Sequence, residues 1–415
     1  MYNNVGKLIG YYRKKMYDKT KLTNFSQVGF VFYGNRMICA QSKLSIIENG
    51  KIRIPYPDEY DYLIKNLGYN SLDYRNVETQ YIDFIAQILY TLQYQPEQRL
   101  LDLLEIYDRQ LKRFDDTFYL HELNIIIKAT INAHLGISLP DLGFLDIFLD
   151  ALECFPNEIQ FLILDLANLI VENYIPYKEI RDKVNSLVDR LQLDSPIVQI
   201  LKASRNLRQL KMIDVQQKIK SIRSDSLSHL LKFRIQRLLF MIEIESVDQL
   251  ANFSELLNPA VEFEDVNRFE RCRPYVISGY LHYSYQNYAK ALSEYQNALL
   301  INPQAVCFSL IYISDCLYAL RRMDELHPYL IEAEKHITSF SVLHYEVLRF
   351  FNIITGLQNY DDESIQFRSL FKSLSQLNSD SPYVRIIRKH LLNYAKRTHK
   401  YKLIFDYELM MLDNH

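Results

Sequence analysis

Apolar side chains recur along most of this chain at three- and four-residue spacing, the period of an amphipathic helix. Val5 to Met16 puts Leu8, Ile9 and Tyr12 on one face, with Arg13, Lys14 and Lys15 beside it. Ile38 to Lys51, which reads ICAQSKLSIIENGK, predicts a second helix with Leu44 and Ile47 facing inward. Asn49-Gly50 closes it, because glycine readily takes the left-handed conformation that ends a helix. Between these helices, Ser26 to Met37 breaks the pattern. Its two glycines, aromatic and β-branched residues and Gly-Asn turn signal make it as hairpin-like as helical. Ile54-Pro55-Tyr56-Pro57 is an extended break before a further helix. Asn76 to Tyr94 then carries Tyr81, Phe84, Ile85, Ile88 and Leu92 in one stripe, as a rigid linker helix or as the first helix of a body.

Past residue 97, helix pairs are legible around 98–135, 139–174, 178–210 and 213–256. The clearest pair is Cys272 to Ala305. Tyr275, Gly279, Ala291, Tyr295, Ala298 and Pro303 fall at positions 4, 8, 20, 24, 27 and 32 of a 34-residue frame, the tetratricopeptide repeat pattern. Gly279 and Ala291 let the two helices approach, Tyr275 and Tyr295 fill the groove between them, and Pro303 ends the second. A weaker unit starts near Cys307, a third spans about Ser341 to Leu377, and Pro382 to Leu412 reads as two capping helices. One such pair cannot bury its apolar face alone, so several must stack into a superhelix with a concave inner surface.

Composition agrees with an all-α chain. Only 10 glycines and 12 prolines in 415 residues are too few for the tight turns of an all-β or α/β protein. No apolar run reaches the roughly 18–20 residues of a membrane span, and no signal-peptide pattern opens the chain. Cys39, Cys154, Cys272, Cys307 and Cys316 form no CxxC pair and read as reduced, buried thiols, which points to the cytoplasm. Phosphate loops, GxSxG, HExxH and metal-spaced His/Cys clusters are all missing, and His121-Glu122 lacks a second His, so neither an enzyme nor a cofactor is expected. Charge is uneven. Residues 1–70 hold 11 Lys/Arg against 5 Asp/Glu, while the remainder holds 37 against 45. A basic head on an acidic body fits a head that meets phosphate.

Gln41, Ser42, Lys43 and Ser45 lie outside the apolar face of their helix, where side chains reach base edges from the major groove. Here the chain resembles the lambda-repressor-like, XRE-type helix-turn-helix family. Cys39, Gln41, Ser42, Leu44, Ser45, Ile47, Glu48, Asn49 and Gly50 fit its recognition helix and turn, and Tyr60 to Gly68 fit its closing helix. The resemblance implies that Glu48 is structural and pairs with Arg13. Ile46 stands where the family usually has Arg or Lys. The residues expected at DNA are Arg13, Lys14, Gln41, Ser42, Lys43, Ser45, Asn49 and Lys51.

Solenoid inner faces are lined by the first helix of each pair. Arg273, Val276, Tyr280 and Tyr283 belong there, then Phe308, Ile311, Asp315 and Tyr318. The residues expected at a peptide are Asn124, Asn132, Asn168, Arg205, Asn206, Arg237, Tyr280, Asp315, Tyr318 and Asn352, since an Asn amide can both donate to and accept from one peptide unit. Head and body together resemble the RRNPP family of peptide-pheromone-sensing regulators. That resemblance implies a homodimer on double-stranded DNA, with a short signal peptide inside a right-handed TPR-like α-solenoid. The expected divisions are a helix-turn-helix head at 1–70, a linker helix at 71–97, repeats at 98–380 and capping or dimerisation helices at 381–415. A competing expectation is a repeat scaffold that binds a protein partner and keeps only a degenerate head.

Overall fold

A computed structural model describes residues 1–96, 98–140, 142–174, 178–208, 212–222, 226–243, 266–336, 342–357, 363–377 and 381–412. Among them the chain is helical apart from one two-stranded hairpin. None of the described helices is long and apolar enough to cross a membrane. In chain order the helices begin with α1 Tyr2–Thr20, α2 Gln27–Phe30, α3 Gln41–Glu48, α4 Pro57–Asn66, α5 Glu78–Tyr94 and α6 Arg99–Ile106. Next come α7 Leu120–His134, α8 Leu142–Phe148, α9 Asn157–Tyr174, α10 Lys178–Asp189 and α11 Pro196–Arg208. After these follow α12 Met212–Ser221, α13 His229–Glu243, α14 Arg268–Arg271, α15 Arg273–Ser284, α16 Tyr288–Ile301 and α17 Val306–Ala319. The last are α18 Met323–His336, α19 Val342–Thr355, α20 Glu363–Leu374, α21 Pro382–Thr398 and α22 Lys402–Leu412. The end of the pair expected at 213–256 and residues 358–362 of the unit expected at about Ser341 to Leu377 lie outside the described residues.

Two compact units emerge. The first comprises Met1–Ala167, Leu187–Asn206 and Gln217–Lys232; the second comprises Asn168–Ser186, Leu207–Gln216 and Phe233–His415. The boundary expected at residue 70 is not an edge of the first unit, and the helix expected to link head and body, α5, is packed within it. The reason is α1, which has two buried faces. One carries Val5, Ile9 and the glycines Gly6 and Gly10 against α3. On the other, the Tyr12 hydroxyl donates to Glu122 at 3.0 Å, its ring meets Phe118 at 5.8 Å, and Lys7 Nζ donates to the Glu153 carbonyl at 3.1 Å. Burial pushes the Glu122 carboxyl above its ordinary range.

Ser26 to Met37 is helix and hairpin in succession. Ser26 Oγ accepts from Gly29 N and caps the single turn of α2. The chain then forms β1 Phe32–Tyr33 and β2 Arg36–Met37, antiparallel, joined through Gly34 at φ +58. Positive φ at the first of two loop residues is the pattern of a type II′ turn, which needs glycine there. Asn66 on α4 holds the hairpin base, donating to the carbonyls of Phe30 and Phe32 at 3.1 and 2.8 Å.

In the second unit, α15 and α16 form the clearest pair. A Cβ on Gly279 would lie 2.8 Å from the Tyr295 ring, so glycine is what lets that ring seat. Asn302 and Pro303 end α16, as the spacing predicts. Pairs α17/α18 and α19/α20 follow, and α21 and α22 close the chain, with the Tyr407 hydroxyl donating to the Val384 carbonyl at 3.2 Å.

His344, on α19, is buried, and its Nε2 shares a hydrogen bond with the Tyr383 hydroxyl at 3.3 Å. Burial lowers its pKa from 6.5 to about 4. Between those values the unfolded chain holds the extra proton, so stability falls as pH drops from 6.5 toward 4. The gap corresponds to about 3 kcal/mol. Amide hydrogen exchange resolved to α19 and α21 should therefore lose protection across this window more steeply in the wild type than in His344→Phe. Parallel slopes for the two proteins would rule out this titration.

Candidate nucleic-acid interface

The recognition-helix candidate, α3, is eight residues long, and its position depends on both of its ends and one flank. At its C-terminus Gly50 takes φ +63; Gly50 N donates to Ile47 O at 2.9 Å and Lys51 N to Ile46 O at 3.0 Å. That pair of bonds is a Schellman closure, and it satisfies carbonyls the helix would otherwise leave open. Leu44 and Ile47 are wholly buried against α1. Beneath the N-terminus lies Cys39, whose thiol is pushed up to about 11 by burial, with the Glu59 charge adding to the effect. It is an unreactive core side chain. Cys154, Cys272 and Cys316 are likewise buried and free, while the side chain of Cys307 lies outside the described residues.

The side chains expected at DNA divide into three groups. Gln41, Ser42, Asn49, Lys14 and Lys51 are exposed and Ser45 is half-buried, so one polar surface runs along α3. Arg13 requires a correction. It is only 7% exposed; its Nη2 donates to Glu48 Oε2 at 2.9 Å, its Nε to Glu48 Oε1, and its Nη1 to the Phe25 carbonyl at 3.0 Å. Three of its five N–H donors are used, and its burial keeps the group from reaching phosphate. Its work is to hold α3 and the segment before α2 on α1, and the Glu48 pairing is the one the family resemblance implied.

Lys43 is the intermediate case. Its ammonium donates to Glu59 Oε1 at 2.5 Å and sits 4.3 Å from the centre of the Tyr56 ring. It ties α3 to the start of α4, so neither Glu59 nor Tyr56, both absent from the expected set, is a bystander. Ile46 is 46% exposed, so the position where the family carries a cation is at the surface and uncharged.

Compared with protein-family models, curated proteins and solved structures, the chain matches none.

Most of the expected peptide contacts are spent inside the protein. Asn124 is 2% exposed; its amide donates to Leu111 O and Asp115, and its oxygen accepts from the Tyr81 hydroxyl at 2.8 Å. Arg205 is ion-paired with Asp189. Arg237 Nη1 donates to Glu270 at 2.6 Å, a carboxylate with no exposure that also binds Arg234. Asp315 accepts from the Tyr283 hydroxyl, Lys389 and His390, and these bonds hold its carboxyl down at about 2 against its burial. These four are corrected from ligand clamps to internal partners. Asn168, Asn206 and Asn352 are also buried. Asn132 and Tyr318 are half-buried and Tyr280 is 41% exposed, so these three remain accessible. The side chain of Phe308 lies outside the described residues.

An aromatic cluster on α15, α16 and α17 shares only Tyr280 with that set. Tyr312 stacks on Tyr295 at 5.6 Å and meets Tyr280 and Tyr283 edge-on at 5.7 and 5.0 Å. The signal for it was the recurrence of Tyr in both α15 and α17.

Proposed function

We propose that the chain is a DNA-binding transcription regulator that reads duplex DNA with α3 as the recognition helix of an XRE-type helix-turn-helix. The observation that carries this reading is the Arg13–Glu48 pair. It clamps a short helix to α1 by its buried face and leaves Gln41, Ser42, Ser45 and Asn49 facing out. On this reading Gln41 and Ser42 contact base edges, while Lys14 and Lys51 approach phosphates; the Asn49 side-chain amide, expected at DNA, instead donates to the Ser45 carbonyl at 2.7 Å. The later helix pairs serve as a TPR-like solenoid that senses a short peptide, with Tyr280 and Tyr318 as its accessible side chains, and two chains pair to place two heads on two half-sites. Cytoplasmic location follows from that role.

Full-length protein should retain duplex DNA from its own promoter region, with affinity falling steeply as salt rises. Gln41→Ala with Ser42→Ala should erase the preference over unrelated duplex, a loss of about 1–3 kcal/mol per base contact, and leave the salt slope unchanged. Lys14→Ala with Lys51→Ala should flatten the slope instead. Fluorescence anisotropy at several salt concentrations measures both, and a wild type with no salt-sensitive binding refutes the reading. A second reading, a scaffold for a protein partner, is favoured by the apolar side chains Val28, Phe32, Tyr33 and Met37, all exposed on α2 and the hairpin. It takes over if DNA binding is absent.

A further inference from the structure

The first unit contains a cavity of about 350 Å³ that none of the roles above uses. That volume is at the lower end of small-molecule sites, roughly 300–1,000 Å³. Its walls come from four places in the sequence: the start of α1, one face of α5, the start of α7 and the start of α9. Ile85, Leu123 and Ile159 form an apolar floor, each 6% exposed or less. At the mouth, Ile82 is 57% exposed, Ala86 is exposed, and Glu158 is exposed with no partner among the described residues. Glu78, the other carboxylate of the lining, pairs with the terminal amine of Met1.

The charge pattern selects the ligand. No Lys, Arg or His lines the cavity; its charged groups are Glu158, Glu78 and the terminal amine of Met1, and because that amine pairs with Glu78, the charge left over is that of Glu158. An anion would lose its water and meet Glu158 at the rim, whereas a cation would meet the same carboxylate as a partner across partly exposed space. The apolar floor requires an apolar body. We infer that this cavity binds a small amphipathic cation, its hydrocarbon or aromatic part on Ile85, Leu123 and Ile159 and its ammonium at Glu158. The site is independent of DNA reading, although α1 forms one wall of it and carries α3 on another face.

Dansylcadaverine, an aromatic body with a primary ammonium, is a suitable probe, and 1-anilinonaphthalene-8-sulfonate is the anionic control. Titrated into the full-length protein, dansylcadaverine should show saturable, blue-shifted emission with one site per chain. Ala86→Phe should fill the mouth and weaken binding at least tenfold. Glu158→Gln should weaken it severalfold, and Ile82→Lys, which sets a cation at the entrance, should weaken it at least tenfold. All three changes are at exposed positions, and circular dichroism should confirm an unchanged fold. The anionic probe should not displace the cationic one. Absence of saturable binding, wild-type affinity in Ala86→Phe or Ile82→Lys, or equal affinity for the anionic probe would overturn the inference.

Discussion

Glu48→Ala is expected to open the head of this protein while the helix pairs of the second unit stay folded. The Glu48 and Arg13 side chains are 7% and 8% exposed, and their two hydrogen bonds are charge-assisted and bidentate. Removing one member of a buried pair leaves the other charge uncompensated, which costs about 3–5 kcal/mol. A guanidinium cannot escape by losing its proton, so Arg13 must either draw in water or swing out, and either movement pulls α3 away from α1. Replacing both members, Arg13→Met with Glu48→Leu, removes the stranded charge and should recover much of the loss. Recovery will be incomplete, because the Phe25 carbonyl that accepts from Arg13 Nη1 also loses its donor. In a chain of this size a single unfolding free energy is ill-defined. Amide hydrogen exchange resolved to α1 and α3 is the proper readout. Wild-type protection of α3 in Glu48→Ala would mean that the pair does not hold the helix.

The elements that the sequence made legible are those set by local chemistry. Gly50 closes α3, Pro57 opens α4, and the 34-residue spacing marks α15 and α16, because each signal acts within a few residues of itself. Ser26 to Met37 was ambiguous for a sound reason: Ser26 caps a helical turn and Gly34 turns a hairpin, and one turn of helix is too short to show a period. Where the reading failed, it failed on what neighbours do. A helical wheel gives the direction of Asn124, Arg205, Arg237 and Asp315 around their own helices. It says nothing of the Tyr81, Asp189, Glu270 and His390 that meet them there. Buried polar groups are nearly always paired, so a polar residue on an inward-leaning helix face is more often matched internally than left for a ligand. The packing of α1 on α7 was illegible likewise, since nothing near Tyr12 in sequence announces Glu122.

A second large effect on the seating of α3 is expected at Gly6. Alanine favours a helix interior over glycine by about 1 kcal/mol, so propensity alone makes Gly6→Ala stabilising. Packing opposes it. A Cβ at residue 6 would fall on the carbonyl oxygen of Ile47 and lie 3.0 Å from its carbonyl carbon, far inside van der Waals contact with the oxygen. Because the obstacle is backbone, no rotamer change relieves it, and α1 and α3 must separate. Overpacking of this kind costs about 1–3 kcal/mol and more where nothing can yield, so packing wins and the net change is a loss of about 2 kcal/mol. Four residues on, a Cβ on Gly10 would lie 2.9 Å from Glu48 Cβ, and Arg13 already fixes that side chain, so the two glycines act along one seam. Gly34→Ala provides the control. It strains a positive φ, costing about 1–2 kcal/mol, but nothing lies within 4 Å of the added carbon and α3 stays seated. Gly6→Ala should therefore lower α3 protection and DNA retention together with every α3 surface residue intact, while Gly34→Ala should lower neither by more than a few fold. If Gly6→Ala keeps wild-type exchange in α3, the close seam between these helices is not what positions α3.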